Sequence, residues 1–186
     1  MLMVISGAAP MQHENLWAPW RLAYLRRLDE RRRSTGPEQE ASINFLAEYW
    51  AHPELDEAQH VIHRSDRGMI LLNRYPYANG HLMAALGHPQ PALLDYEADD
   101  RLAFWHLVEV AMDLVKKVLQ PQGINMGINL GAAAGAGLPE HVHAHVVPRW
   151  GGDTNFMTVT GDVRVTPASL EEMAQMYRTA LPELLG

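Results

Sequence analysis

The sequence predicts an α+β domain on a mainly antiparallel sheet of about five strands, with one long helix and a C-terminal helix. Segments with strand character precede and follow a single long amphipathic helix, whereas an α/β fold would alternate strands with helices. The link between the last two predicted strands is too short for a parallel crossover, so these strands are expected to be antiparallel neighbours. Apolar residues make up 47% of the 186 residues, which is enough for one core.

The start of the chain is expected to lie outside that core. Residues 1–15 lack the features of a secretory signal and are predicted to form a flexible leader, which leaves residues 16–186 as a single domain. The segment 26–33 mixes many arginines with acidic residues, which favours a solvated helix end or loop over a nucleic-acid tether. Residues 41–51 are predicted to form a short helix.

The first three strands are predicted from apolar runs bounded by turn signals. Residues 59–64 and 67–73 flank a turn around position 66, and residues 81–86 follow the turn-forming segment 75–80.

The long helix is predicted over residues 97–119. Apolar side chains recur there at helical spacing from Phe104 to Val118, and charged side chains lie elsewhere on the helix. Pro121 and Gly123 are expected to end it.

Two further strands and a second helix are predicted in the last third of the chain. Residues 124–130 alternate apolar and polar side chains, and a glycine-rich loop connects them to a strand over residues 140–147. Thr166 as N-cap and Pro167 as the first helical residue are expected to begin the C-terminal helix.

The most informative segment contains His141, His143 and His145, which alternate with small apolar residues. A strand sends alternate side chains to opposite faces, so the three imidazoles would share one face and the apolar residues would face a core. Asn125 and Asn129 of the preceding strand could share the polar face. Imidazole titrates near neutral pH and can act as nucleophile, acid, base or metal ligand.

A phosphate site is the interpretation that the surroundings favour. Glycines in the loop 131–137 let backbone amides approach an anion closely. One alternative is that the histidines are ordinary structural residues, which strict alternation disfavours. Another is a metal site. However, positions 141 and 145 are separated by about 13 Å along a strand, so they cannot easily meet at one ion.

Composition excludes or disfavours several classes of protein. The formal net charge of −7 disfavours a dedicated nucleic-acid binder. The absence of cysteine excludes disulfides, thiolate zinc sites and a cysteine nucleophile. No apolar run approaches the roughly 20 residues that span a bilayer. A cytoplasmic enzyme that does not bind membranes is therefore expected.

The motif His-Val-His-Ala-His-Val-Val over residues 141–147 resembles the signature of the histidine-triad (HIT) superfamily. The segments 16–21, 73–83 and 147–156 resemble a bacterial branch of that family, which includes diadenosine tetraphosphate phosphorylases and hydrolases. The resemblance covers about residues 16–180 and implies an α+β HIT-like fold, usually found as a homodimer.

The resemblance also implies a reaction. It implies a nucleotidyl hydrolase or phosphorylase that cleaves dinucleoside polyphosphates at the α-phosphate through a covalent nucleotidyl-histidine intermediate. His143 would be the nucleophile, His145 would contact the phosphate and assist the leaving group, and His141 would support the hydrogen-bond network. Two alternatives are a nucleoside phosphoramidate or aminoacyl-adenylate hydrolase and a non-catalytic nucleotide-binding module. His145 favours hydrolases or phosphorylases, because the transferase branch usually carries glutamine at that position.

Binding positions follow from the same resemblance. Asn73 matches a residue that holds the ribose hydroxyls, and His81 matches a histidine near the triad. Asn129 and the loop amides of Ala136 and Gly137 match phosphate-binding positions. The implied partner is a nucleotide substrate, with no tightly bound cofactor and with a divalent cation accompanying the substrate phosphates.

The sequence departs from the family pattern in two places. Many members carry a loop hydroxyl just before the triad, but residues 135–140 contain none. Many members also bind a structural zinc through a Cys-x-x-Cys pair and two histidines. Residues 42–45 read Ser-Ile-Asn-Phe, so no tight zinc site is expected even though His88 and His141 match the two histidine positions.

Overall fold

We describe a computed structural model of the protein. It describes residues 44–153 and 167–185, which belong to one compact unit, Ala41–Gly186. Some predictions concern other parts of the chain and lie outside the described residues: the leader 1–15, the arginine-rich segment 26–33, the family-like segments 16–21 and 154–156, and the N-cap at Thr166. The domain boundary after residue 15 stays a prediction.

The sheet formed by the described residues has five strands, and every neighbouring pair is antiparallel. In space the order is β1-β2-β3-β5-β4, so β5 lies between β3 and β4. This arrangement confirms the predicted fold class and the pairing of the last two strands. The strands are β1 Val61–Arg64, β2 Gly68–Leu72, β3 Leu82–Leu86, β4 Gly123–Ile128 and β5 His143–Arg149.

The long helix and the short helix before the sheet are also confirmed. The described helices are α1 Phe45–Ala51, α2 Ala98–Leu119, α3 Leu170–Ala180 and α4 Pro182–Leu185, with short 3₁₀ turns at Pro53–Leu55, Leu93–Asp95 and Ala132–Ala134. Within the described parts of the chain, none of the helices combines the length and apolarity needed to cross a membrane.

The predicted start of the C-terminal helix is wrong. Pro167 lies in a bend before the helix, and Ser169 is the N-cap. The Ser169 hydroxyl accepts the N–H of Glu172, and the Glu172 carboxylate accepts the N–H of Ser169. This capping box provides partners for two end amides, whereas a Thr-Pro pair provides one, so the Ser-x-x-Glu pattern was the better signal.

Apolar side chains pack on both faces of the sheet. On one face, α2 and α3 cover a large cluster that includes Ala144, Val146 and the fully buried Phe104. On the opposite face, α1 contributes Leu46 to a smaller cluster, which the buried Leu138 joins from the loop before β5. The larger cluster therefore lies on one face of the sheet, and the smaller one leaves room on the other face for polar side chains.

Helix α1 is held at its C-terminal end by Arg64 of β1. The guanidinium donates to the carbonyls of Tyr49 (2.5 Å) and Trp50 (3.1 Å) and forms two bonds to the Asp56 carboxylate (2.7 and 2.6 Å). It also lies 5.1 Å from the centre of the Trp50 ring. The last carbonyls of a helix lack intrahelical partners, so Arg64 satisfies groups that burial would otherwise penalise.

The turn before β3 is attached to the C-terminal helix. The Tyr177 hydroxyl, which is fully buried, donates to the Gly80 carbonyl over 2.7 Å. Gly80 has φ +79°, and a Cβ there would lie 2.4 Å from Leu119 Cδ1 and 2.6 Å from the Tyr177 hydroxyl oxygen. Both the conformation and the space therefore require glycine.

Replacing Gly80 with alanine should lower the free energy of unfolding by about 2–4 kcal/mol, because strain at positive φ and a steric clash act together. Urea unfolding would measure the change. Gly123→Ala is the matched control, since a Cβ at Gly123 meets nothing within 4 Å. Equal losses of stability in the two variants would contradict the packing argument.

Candidate active site

Strand β5 places His143 and His145 on the face of the sheet opposite to α2. His143 pairs in register with Ala85 of β3, and His145 pairs with Met83 of β3 and Gly127 of β4. The intervening Ala144 lies in the core beneath α2. The prediction that the histidines and the small apolar residues face opposite sides of the sheet is therefore confirmed for His143 and His145, the two histidines within the strand.

His141 does not continue this row as an open imidazole. It precedes the strand, and its side chain is completely buried. Its Nε2 lies 2.8 Å from the Leu86 carbonyl oxygen, and its Nδ1 lies 3.0 Å from the Asn44 side-chain oxygen. Burial lowers the pKa of His141 to about 4, although the bond to Leu86 opposes that effect. The ring is therefore neutral near pH 7 and inaccessible.

The proton of His143 is placed by the backbone. Its Nδ1 donates to the His141 carbonyl over 2.8 Å. A neutral imidazole carries one proton, so Nε2 holds a lone pair. His143 is 6% exposed, and burial lowers its pKa. Near pH 7 this histidine is therefore neutral, with Nε2 as its nucleophilic nitrogen.

The proton of His145 is placed by a chain of contacts that begins at another backbone group. The Tyr77 N–H donates to His81 Nδ1 over 3.1 Å, and the Asn73 Nδ2 lies 3.3 Å from the same nitrogen. His81 must then carry its proton on Nε2, which lies 3.0 Å from His145 Nδ1. Because His145 Nδ1 accepts the hydrogen bond from His81 Nε2–H, a neutral His145 carries its own proton on Nε2.

The two histidines thus have opposite proton arrangements. Nε2 of His143 is an acceptor and Nε2 of His145 is a donor, and their ring centroids are 5.0 Å apart. The ring of Tyr77 lies 4.7 Å from that of His81 and 5.7 Å from that of His145, measured between centroids. A nucleophile beside a proton donor suits attack on a phosphorus centre that carries a leaving group.

The glycine-rich loop precedes the histidine segment along the chain and uses some of its polar groups internally. The Ala136 N–H donates to the Gly131 carbonyl over 3.3 Å, and the Asn129 side chain donates to the Gly135 carbonyl over 3.5 Å. Within the described residues, the N–H of Gly137 makes no backbone hydrogen bond. Of the three groups predicted to donate hydrogen bonds to phosphate, the Gly137 N–H is therefore the one that has no backbone partner within the described residues.

Asn73 also has contacts within its own turn. Its side-chain oxygen accepts the Tyr75 N–H over 2.9 Å, while its nitrogen faces His81. The structure thus brings Asn73 and His81 together, next to His145. The ribose-binding role of Asn73 stays a prediction, and its contact with His81 is one that the sequence does not indicate.

Sequence reasoning missed three groups that organise the site: the Tyr77 amide, the Leu86 carbonyl and the Asn44 side chain. The first two are backbone groups, which leave no trace in residue identity. Asn44 had a local signal, because asparagine before an apolar run is a common helix N-cap. Its contact with His141 spans 97 positions of sequence and had no signal.

The residues present do not fit the structural zinc site that many members of the family carry. Both nitrogens of His141 already have partners, and His88 Nε2 lies 3.6 Å from the Asp100 carboxylate. Among the described residues, no group of three or more histidine, cysteine or acidic side chains could hold a metal ion.

Comparisons with known proteins agree with this architecture. The chain is 36% identical to the AP-4-A phosphorylase of Mycobacterium tuberculosis over 172 residues. This alignment covers 90% of this chain and 84% of that protein. The asymmetrical bis(5'-nucleosyl)-tetraphosphatase of Schizosaccharomyces pombe is 28% identical over 89 residues, or 48% of each chain.

A solved structure and a family match complete the comparison. A zinc-bound histidine triad family protein from Mycobacterium smegmatis superposes with a TM-score of 0.59 at 25% identity, over 73% of this chain and 93% of that one. Residues 54–152, more than half of the chain, match the HIT domain family. The chain therefore belongs to the HIT family.

Proposed function

We propose that this enzyme cleaves dinucleoside polyphosphates at the α-phosphate through a nucleotidyl intermediate on His143. The single observation that carries the proposal is the opposite proton arrangement of His143 and His145, each fixed by a backbone group. The similarity to an AP-4-A phosphorylase and to a bis(5'-nucleosyl)-tetraphosphatase supports the substrate class.

The first half of the reaction uses both histidines. The lone pair on His143 Nε2 attacks the α-phosphorus, so a P–N bond forms as the P–O bond to the leaving polyphosphate breaks. The bond from Nδ1 to the His141 carbonyl stabilises the positive charge that develops on the ring. The Nε2–H of His145 would stabilise negative charge on the phosphoryl or bridging oxygen.

The second half returns the enzyme to its starting state. Water or inorganic phosphate attacks the same phosphorus, the P–N bond breaks, and the electron pair returns to His143 Nε2. The leaving polyphosphate needs little protonation in the first half, since the second ionisation of a terminal phosphate has a pKa of about 6. His145 can therefore act mainly through its hydrogen bond.

The remaining site residues receive binding roles within this proposal. Asn73 would hold the ribose hydroxyls, and His81 would contact the Asn73 side chain. The Gly137 N–H would donate a hydrogen bond to a phosphate oxygen. Asn129 would shape the phosphate loop through its bond to Gly135. The Ala136 amide would bind phosphate only after exchanging its Gly131 partner, which is a weak bond at 3.3 Å.

We further propose that the enzyme needs no resident metal or cofactor, and that a divalent cation arrives with the substrate phosphates. The absence of a resident metal is supported by His141, because both of its ring nitrogens already have hydrogen-bond partners. The net charge of −7 supports the arrival of a cation with the substrate, because a cation would reduce the repulsion between an acidic protein and a polyphosphate.

The homodimer and the cytoplasmic location stay predictions. For the dimer, β4 is an edge strand of the described sheet. On and after this strand, Met126 is 44% exposed and Leu130 is 49% exposed. Such an edge offers backbone groups and apolar area to a second copy.

A substrate assay tests the activity directly. With diadenosine tetraphosphate, phosphorolysis would yield ADP and ATP only when inorganic phosphate is present, whereas hydrolysis would yield AMP and ATP without it. Anion-exchange chromatography of the products separates these outcomes. Turnover of a nucleoside phosphoramidate but not of the tetraphosphate would show that the substrate class is wrong, and a folded enzyme inactive on both would refute the proposal.

His143→Ala should reduce turnover by more than about 10³-fold, because the variant lacks the nucleophile. The dissociation constant for a bound mononucleotide should change by no more than about threefold, because the binding groups are retained. His52→Ala is the matched control, since His52 is exposed and contacts Glu54 away from the site. A near wild-type rate for His143→Ala would show that His143 is not the nucleophile.

The pH profile should reflect the neutral state of His143. Because burial lowers its pKa below the ordinary 6.5, the attacking form persists as the pH falls through that value and is lost only at lower pH. The acid limb of kcat/KM should therefore have its midpoint below pH 6.5. Diadenosine tetraphosphate suits this test because it has no terminal phosphate that ionises in this range. An acid midpoint above pH 6.5 would contradict the assignment.

A further inference from the structure

Asn44 connects helix α1 to the histidine motif. It is the N-cap of α1, and its side-chain oxygen lies 3.0 Å from the Ala47 N–H and 3.0 Å from His141 Nδ1. The backbone carbonyl of His141 accepts the Nδ1 proton of His143. One side chain therefore contacts the ring of the residue whose carbonyl fixes the proton of the proposed nucleophile.

The two contacts of Asn44 make different demands on its amide group. A neutral His141 has one proton, and the Leu86 carbonyl can only accept, so that proton is on Nε2. His141 Nδ1 then needs a donor, which Asn44 supplies when its amide turns over and presents Nδ2–H. The two ends of an amide have nearly the same shape, so the turned amide fits the same space. The turn gives up the bond from the Ala47 N–H, which then faces Nδ2 instead of Oδ1.

Burial decides between the two demands. The His141 ring is completely buried and cannot reach water, whereas Ala47 is only partly buried and its N–H can be hydrated. An unsatisfied buried acceptor costs more than an end amide that bonds to water. The amide is therefore expected to serve His141.

We propose that Asn44 is a positioning residue: its side-chain amide donates to His141 Nδ1 and thereby holds the His141 carbonyl against Nδ1–H of His143. With the ring fixed by Leu86 on one side and Asn44 on the other, the carbonyl cannot swing away. His143 is then restricted to the tautomer with a lone pair on Nε2. Asn44 touches no reacting atom itself.

Helix α1 does not depend on Asn44 for its docking. Leu46 is fully buried in the smaller cluster, and Arg64 binds the other end of the helix through Tyr49 and Trp50. Variants at position 44 are therefore expected to fold, which allows the contact with His141 to be tested separately from helix formation.

A measurement on the wild-type protein tests the hydrogen bond without using activity. In ¹⁵N-labelled protein, a scalar coupling across the hydrogen bond should link Asn44 Nδ2 to His141 Nδ1, and His143 should show a protonated Nδ1. Absence of the coupling, with both signals assigned, would overturn the proposal. This result is independent of whether the proposed reaction is correct.

Asn44→Ser provides the kinetic test, which does rest on the role proposed for His143. Serine can accept the Ala47 N–H as an N-cap but is too short to reach His141. The single-turnover rate should fall about tenfold while the mononucleotide dissociation constant stays within twofold, and His143 should show mixed tautomers. His52→Ala, at the C-cap of the same helix, is the control. It should change neither the rate nor the tautomer.

The outcomes separate the two roles. An unchanged rate and an unchanged His143 spectrum in Asn44→Ser would mean that Asn44 acts only as a helix cap, and would overturn the proposal. A changed spectrum in a protein that processes no dinucleoside polyphosphate would support the positioning role and refute the proposed function. Should Asn44→Ser fail to fold, the coupling in the wild-type protein still decides the matter.

Discussion

Strand β5 can bury only one of its two faces beneath α2, and the whole site depends on that constraint. Burying Ala144 and Val146 under the long helix turns His143 and His145 to the opposite face. The free energy of this burial is spread over many apolar contacts, so the direction of the histidines does not depend on any polar interaction in the site. A slip of one residue in the pairing would reverse both faces.

Backbone groups then decide what each histidine can do. The side chains of His143 and His145 are chemically identical, but the carbonyl of His141 and the amide of Tyr77 place their protons on different nitrogens. A backbone group cannot change its donor or acceptor character, so these assignments are firmer than those made by side chains. The same fold therefore gives one imidazole an accepting nitrogen and the other a donating one.

The surrounding elements fix those backbone groups in place. The turn that contains Tyr77 is tied to the C-terminal helix through Tyr177 and Gly80. His141 is held by Leu86 and Asn44. Elements at both ends of the described chain thus reach the centre of the site, which explains why a histidine motif on an isolated strand would not reproduce its chemistry.

The sequence by itself determined the strands, the long helix and the shared face of His143 and His145, because side-chain periodicity is a local property of a strand or helix. It could not show that His141 is enclosed, that Ala136 uses its amide within the loop, or that the C-terminal helix begins at Ser169. Only the tertiary structure decided the partners of each imidazole. Hydrogen bonds between Asn44 and His141, or between His81 and His145, join distant positions, and no local pattern records them.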